Sequence, residues 1–89
     1  MLSETTTIIN KLGLHARAAS KLVSRASQFE SDVFIDKQGN RVNAKSIMGV
    51  MMLAASKGTE VKLEVDGNDE KECMKAILQL IKNCFDEAE

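Results

Sequence analysis

The sequence predicts an α+β domain of two layers, a four-stranded, mostly antiparallel sheet with three helices on one face. Three observations predict it. "TEVKLEVDG" at 59–67 alternates apolar Val61, Leu63 and Val65 with charged Glu60, Lys62, Glu64 and Asp66, the period-2 pattern of a strand wet on one side. Three other segments carry apolar residues at helical spacing, mostly on one side. The segments follow one another as β-α-β-β-α-β-α with no linker or low-complexity stretch between them, so one-sided helices must cover one-sided strands. At 89 residues the chain is expected to be a single domain, 1–89.

Each element has its own reason. "ETTTII" at 4–9 is β-branched and reads as the opening strand, which "NKLG" then breaks. From Ala16, apolar residues recur at Ala19, Leu22, Val23, Ala26 and Phe29, so a helix is expected to start at or just after His15 and to reach Phe29. "SDVFID" at 31–36, "KQGN" and "RVNA" at 41–44 read as strand, turn and strand, a hairpin turning at Gly39. "SIMGVMMLAAS" at 46–56 is an apolar run of helical length, with Ser46 as N-cap and Gly58 suited to the position after the helix. The last helix opens with Asp69, Glu70 and Glu72, which suit the positive end of its dipole. Its apolar set includes Cys73, Ile77, Leu80, Ile81 and Cys84, with Met74, Leu78 and Phe85 alongside.

Composition excludes several functions. Hydrophobic residues at 44% and charged residues at 28% are ordinary for a globular domain. "MLSETTTIIN" has no basic and apolar leader, and no apolar run approaches the ~18 residues of a membrane span, so a cytoplasmic protein is expected. A net charge of −1 argues against nucleic acid as the main partner. The charge is uneven: residues 1–45 carry seven Lys/Arg and four Asp/Glu, net +3, and residues 46–89 carry five and nine, net −4. The basic half suits an anionic substrate. Cys73 and Cys84, placed on one helix, would stand ~16 Å apart along its axis, beyond the ~7 Å reach of a disulfide, and read as buried free thiols. No CxxC, His/Cys cluster or Gly-rich phosphate loop is present, so neither a metal nor a cofactor is expected.

The chemistry converges on "NKLGLHARAASKLV", which holds the only histidine, His15. A helix N-terminus presents backbone N–H groups and the positive end of the dipole, a ready anion site. Gly13, Ala16, Ala18 and Ala19 leave the imidazole open to a bulky reactant. Arg17 falls in the first turn, where a cation opposes the dipole, and an incoming phosphate would reverse that mismatch by pairing with the guanidinium. A neutral imidazole beside an anion site points to phosphorylation of the ring itself. A serine-hydrolase arrangement lacks an orienting carboxylate, and Ser20 lies more than a turn away.

"GLHARAA" resembles the active-site motif of the histidine-containing phosphocarrier (HPr) family of the bacterial phosphoenolpyruvate-dependent sugar phosphotransferase system. "NAKSIMGVMMLAASKG" resembles that family's regulatory-serine region, and element order and motif positions agree along nearly the whole chain. The resemblance implies an open-faced β-sandwich. It implies that His15 accepts a phosphoryl group at Nδ1 from phospho-enzyme I, which takes it from phosphoenolpyruvate, and passes it to IIA components of permeases. The chain would thus be a transferase component that turns over only with its partners. Arg17 would steady the group, with the backbone of Ala16, Arg17 and Ala18 around the phosphate. Ala18 stands where the family usually has proline, which restores one N–H donor.

The same resemblance gives Ser46, already an N-cap, a second role as the target of an ATP-dependent HPr kinase/phosphorylase. The run Ile47 to Ala55 is more apolar than one buried face requires. Val50 and Leu53 fit the core, while the resemblance favours Ile47, Met48 and Met51 as exposed and, with Leu14, as a partner surface. Methionine suits a surface that repacks against several partners. A carrier of this kind is most simply a monomer. The alternative is a mainly regulatory protein, working through Ser46 phosphorylation and a transcription-factor partner, or in the nitrogen-related branch suggested by "NCFDEAE".

Overall fold

The computed structural model describes residues 1–86. It contains β1 (Leu2–Thr7), α1 (Ala16–Ala26), β2 (Asp32–Lys37), β3 (Asn40–Asn43), α2 (Ile47–Met52), β4 (Glu60–Asp66) and α3 (Glu70–Lys82), followed by a short turn at Cys84–Asp86. This is the expected β-α-β-β-α-β-α order. The strands form one sheet in the order β1-β4-β2-β3, antiparallel throughout. β4, the most regularly alternating strand, therefore lies inside the sheet, between the first strand and the hairpin. Its register sets Val61, Leu63 and Val65 opposite Thr6, Glu4 and Leu2 of β1. On the other side Val65 and Leu63 face Val33 and Ile35 of β2.

All five of these valines, leucines and isoleucines of β2 and β4 are fully buried. They meet Ala18, Ala19, Leu22 and Ala26 of α1 and Cys73, Ile77 and Ile81 of α3 in a single core. The other face of the sheet is open, as in an open-faced sandwich. There Arg41 stacks on the Phe34 ring at 3.7 Å and pairs through Nε with Glu64 Oε1 at 2.7 Å. The hairpin closes tightly because Gln38 and Gly39 both take positive φ, 51° and 90°, the two-residue turn whose twist matches the strands.

Four local expectations are corrected. α1 stops at Ala26, and Phe29 lies beyond it, its N–H bonded to the Ala26 carbonyl at 3.2 Å. α2 has six residues rather than eleven, and Ala54, not Gly58, takes the left-handed position after it, at φ 51°. Gly58 instead serves the turn into β4, where its N–H reaches the Ile8 carbonyl at 2.7 Å. α3 ends at Lys82, after which Cys84, Phe85 and Asp86 take φ of 56°, 55° and 63°. That reversal returns Phe85 to the core at full burial, which offsets the left-handed backbone. Cys84 is thus neither on the helix with Cys73 nor fully buried, and both thiols are free. Asp69, finally, caps α3 from outside and spends its carboxylate on the preceding loop. It accepts from the N–H of Glu30 at 2.9 Å, the N–H of Ser31 at 3.0 Å and the Ser31 hydroxyl.

Candidate functional site at the start of the first helix

His15 is the N-cap of α1. Its backbone is extended at φ −74° and ψ 179°, and Ala16 is the first helical residue. The first ladder bond runs from the Ala19 N–H to the His15 carbonyl at 2.8 Å. The N–H groups of Ala16, Arg17 and Ala18 therefore stand ahead of the ladder, at the positive end of the dipole. One of them has a defined use: the Arg17 N–H donates to His15 Nδ1 at 3.3 Å. A donor facing Nδ1 requires the nitrogen lone pair there, which puts the neutral ring's proton on Nε2. Arg17 and Ala16 are exposed and the imidazole is half-buried, whereas Ala18 is fully buried, backbone included, so its N–H is not open to a phosphate as expected. No acidic residue occupies the first turn.

The segment before His15 is held by a local turn and by a clip to a segment distant in sequence. The Asn10 side chain, fully buried, donates through Nδ2 to the Gly13 carbonyl at 2.8 Å, and the Gly13 N–H returns a bond to the Asn10 carbonyl at 3.2 Å. The Leu14 N–H reaches the Ala55 carbonyl at 2.8 Å. Gly13 has φ 65°, and a Cβ on it would lie 2.4 Å from the Ala55 oxygen and 2.7 Å from Ser56 Cα. Only glycine permits that approach. Leu14 is 5% exposed and belongs to the core. It cannot offer a contact surface as expected; it anchors the loop that carries His15.

On the other side of this clip lies α2. Ser46 caps it, its Oγ accepting from the Gly49 N–H at 3.1 Å. Val50 and Leu53 are in the core, whereas Ile47, Met48 and Met51 are exposed at 44%, 71% and 41%. Two apolar side chains missed in the sequence extend the same surface chemistry, Met52 at 78% and Leu12 at 67% exposure. Met52 was findable: it stands four residues after Met48, on the ridge facing away from Val50. Leu12 lies in an irregular loop, where periodicity gives no signal. A groove lined by Arg25, Phe29, Glu72, Lys75, Ala76 and Gln79 lies elsewhere and contains neither His15 nor Ser46. Among the described residues no group of histidine, cysteine and carboxylate side chains could hold a metal ion, and no helix is long and apolar enough to cross a membrane.

Fold and site together define a class: a small open-faced sandwich that presents an imidazole nitrogen at a helix N-terminus, with an apolar helix alongside. Residues 2–83 match the family model described as the PTS HPr component phosphorylation site. The phosphocarrier protein HPr of Cupriavidus necator is 60% identical over 89 residues, and that of Neisseria meningitidis serogroup A is 57% identical over 89 residues, each alignment covering both chains completely. The crystal structure of HPr-C-His from Thermoanaerobacter tengcongensis superposes with a TM-score of 0.96 at 47% identity, covering 100% of each chain. The chain belongs to the HPr family of phosphocarrier proteins of the phosphotransferase system.

Proposed function

We propose that His15 Nδ1 is the phosphoryl acceptor, that phospho-enzyme I is the donor, and that IIA components of permeases receive the group. The Arg17 N–H at 3.3 Å from Nδ1 carries this reading, because it identifies the ring nitrogen whose lone pair lies at the helix N-terminus. In the forward step Nδ1 attacks phosphorus in line. A nitrogen–phosphorus bond forms as the bond to the donor breaks, and the ring keeps its proton on Nε2. Once Nδ1 is bonded to phosphorus its lone pair no longer accepts, and the Arg17 N–H turns to a phosphoryl oxygen. The N–H group of Ala16 and the Arg17 guanidinium supply further donors to the dianion. The reverse geometry serves delivery, so the site binds the group without trapping it, and the partners complete the reaction centre.

Docking uses the exposed side chains of α2, Ile47, Met48, Met51 and Met52, a flexible apolar surface fit for more than one partner. Ser46 serves as a second phosphorylation site, the target of an HPr kinase/phosphorylase. A phosphate there sits at the start of α2, where the fold tolerates it, and places charge beside the apolar docking surface, where partners do not. The protein acts as a cytoplasmic monomer. Incubation with enzyme I and phosphoenolpyruvate tests the reading. Acid-labile phosphate is expected on the wild type and none on His15→Ala; label that persists on His15→Ala overturns it.

A further inference from the structure

We infer that Lys37 is a positioning residue for His15, acting through the C-terminal end of α2. α2 carries no basic residue in its own last turn, although its terminal carbonyls need donors and favour a cation. Lys37, at the end of β2, supplies both. Its Nζ donates to the Leu53 carbonyl at 3.1 Å and to the Ala54 carbonyl at 3.3 Å. Those two residues lead directly into the clip. Ala54 has the left-handed φ of 51°, a conformation an alanine keeps only when its surroundings hold it. The next carbonyl, Ala55, accepts the Leu14 N–H at 2.8 Å, and Leu14 precedes His15.

A continuous set of bonds therefore runs from the hairpin through Lys37 Nζ, the 53–55 backbone and Leu14 to the imidazole. The ammonium ties down the carbonyls of the two residues that follow α2 and so sets where Ala55 lies. Ala55 in turn sets the height of His15 over the helix start. Lys37 is half-buried, and its Nζ bonds are to the carbonyls of Leu53 and Ala54. It acts on the reaction only through this backbone.

The kinetic half of the inference rests on the carrier function proposed above; the structural half does not. The experiment uses the full chain as wild type, Lys37→Met, Lys37→Gln and Lys37→Arg. Amide hydrogen exchange at Leu14 is compared with exchange at Val61 and Leu63, and phosphorylation by enzyme I and phosphoenolpyruvate is measured in parallel. In the uncharged variants the Leu14 amide is expected to exchange about three- to tenfold faster, the size of a lost helix-end cation and its bonds, with Val61 and Leu63 unchanged. The kcat/KM for phosphorylation should fall by a similar factor, and Lys37→Arg should restore both. Unchanged Leu14 exchange overturns the inference. So does equal acceleration at Leu14, Val61 and Leu63, which would make Lys37 a general stabiliser only. A wild type that accepts no phosphate refutes the carrier function, and the exchange comparison still decides the role of Lys37.

Discussion

Gly13→Ala should damage the protein well beyond an ordinary glycine substitution. The native φ of 65° carries a penalty of ~1 kcal/mol for an L side chain. The new methyl would also sit 2.4 Å from the Ala55 oxygen and 2.7 Å from Ser56 Cα, both backbone atoms that cannot rotate away. To relieve the overlap the two loops must part, which breaks the 2.8 Å bond from the Leu14 N–H to the Ala55 carbonyl. Losing that bond with Leu14 still buried adds about 1–2 kcal/mol. The total is about 2–3 kcal/mol, a large share of the ~5–15 kcal/mol that holds a typical domain folded. Gly39→Ala is the matched comparison, since φ there is 90° but nothing lies within 4 Å of the added Cβ. It should lose only ~1 kcal/mol. Urea denaturation of the two variants separates the overlap from the dihedral. Phosphorylation rates add a second reading, because a ~1 Å shift of His15 can lower the rate about 100-fold. A Gly13→Ala protein as stable as Gly39→Ala and phosphorylated at the wild-type rate would refute the clip.

Three further outcomes follow from individual contacts. The Ser31 hydroxyl first, then the N–H groups of Glu30 and Ser31, hold the Asp69 carboxyl below its ordinary value of 3.8. Its contribution is therefore complete above that value and fades as pH falls from it toward the lower folded value. Asp69→Asn should be less stable than wild type at neutral pH, with the gap narrowing below about pH 4, and a gap that is constant in denaturation curves from pH 2 to 7 contradicts the assignment. Ser46→Ala removes the oxygen that caps Gly49 N–H at 3.1 Å and should lower unfolding free energy by ~1 kcal/mol, whereas Ser46→Asp, which keeps a capping oxygen, should lose less than half of that by thermal denaturation. Ala18→Pro removes an N–H that precedes the first ladder bond at Ala19, so the chain should still fold; a large gain in phosphorylation rate over wild type would show that the alanine weakens the site.

The elements legible in the sequence were those defined by local periodicity. β4 reads from seven residues that alternate charged and apolar, and His15 reads as a helix start because small and apolar residues follow it at helical spacing. That the run from Ile47 to Ala55 is more apolar than one buried face requires was legible as well, while the choice of Ile47, Met48 and Met51 as the exposed residues came from the family resemblance. What escaped reading depends on residues far apart in the chain. Phe85 carries the same apolar signal as Ile81, yet it is buried by a chain reversal after Lys82 rather than by a longer helix. α2 stops at Met52 although "LAAS" would continue it, because Lys37 and the Leu14 amide claim the carbonyls of Leu53, Ala54 and Ala55. Leu14 was expected as part of a partner surface; it is instead 5% exposed in the core, with its N–H bonded to the Ala55 carbonyl at 2.8 Å.

The same division explains how an 89-residue chain can hold a reactive group in place. A domain this small has too little interior for an enclosed active site as well as a core. Its histidine lies at the surface, where side-chain packing alone would fix it poorly. The compensation is backbone rigidity. Gly13 brings two loops within van der Waals contact, the Ala55 carbonyl joins them, and Arg17 N–H fixes the ring nitrogen relative to the helix start. The first two holds use main-chain atoms of the segment that precedes His15, whereas the Arg17 N–H bond is made at the proposed acceptor nitrogen itself and would be exchanged for a phosphoryl oxygen on transfer. Rigidity below the ring and clearance above it are both needed if two different proteins must reach one nitrogen in turn. On the function proposed above, the exposed methionines of α2 would supply the adaptability that the histidine itself must lack.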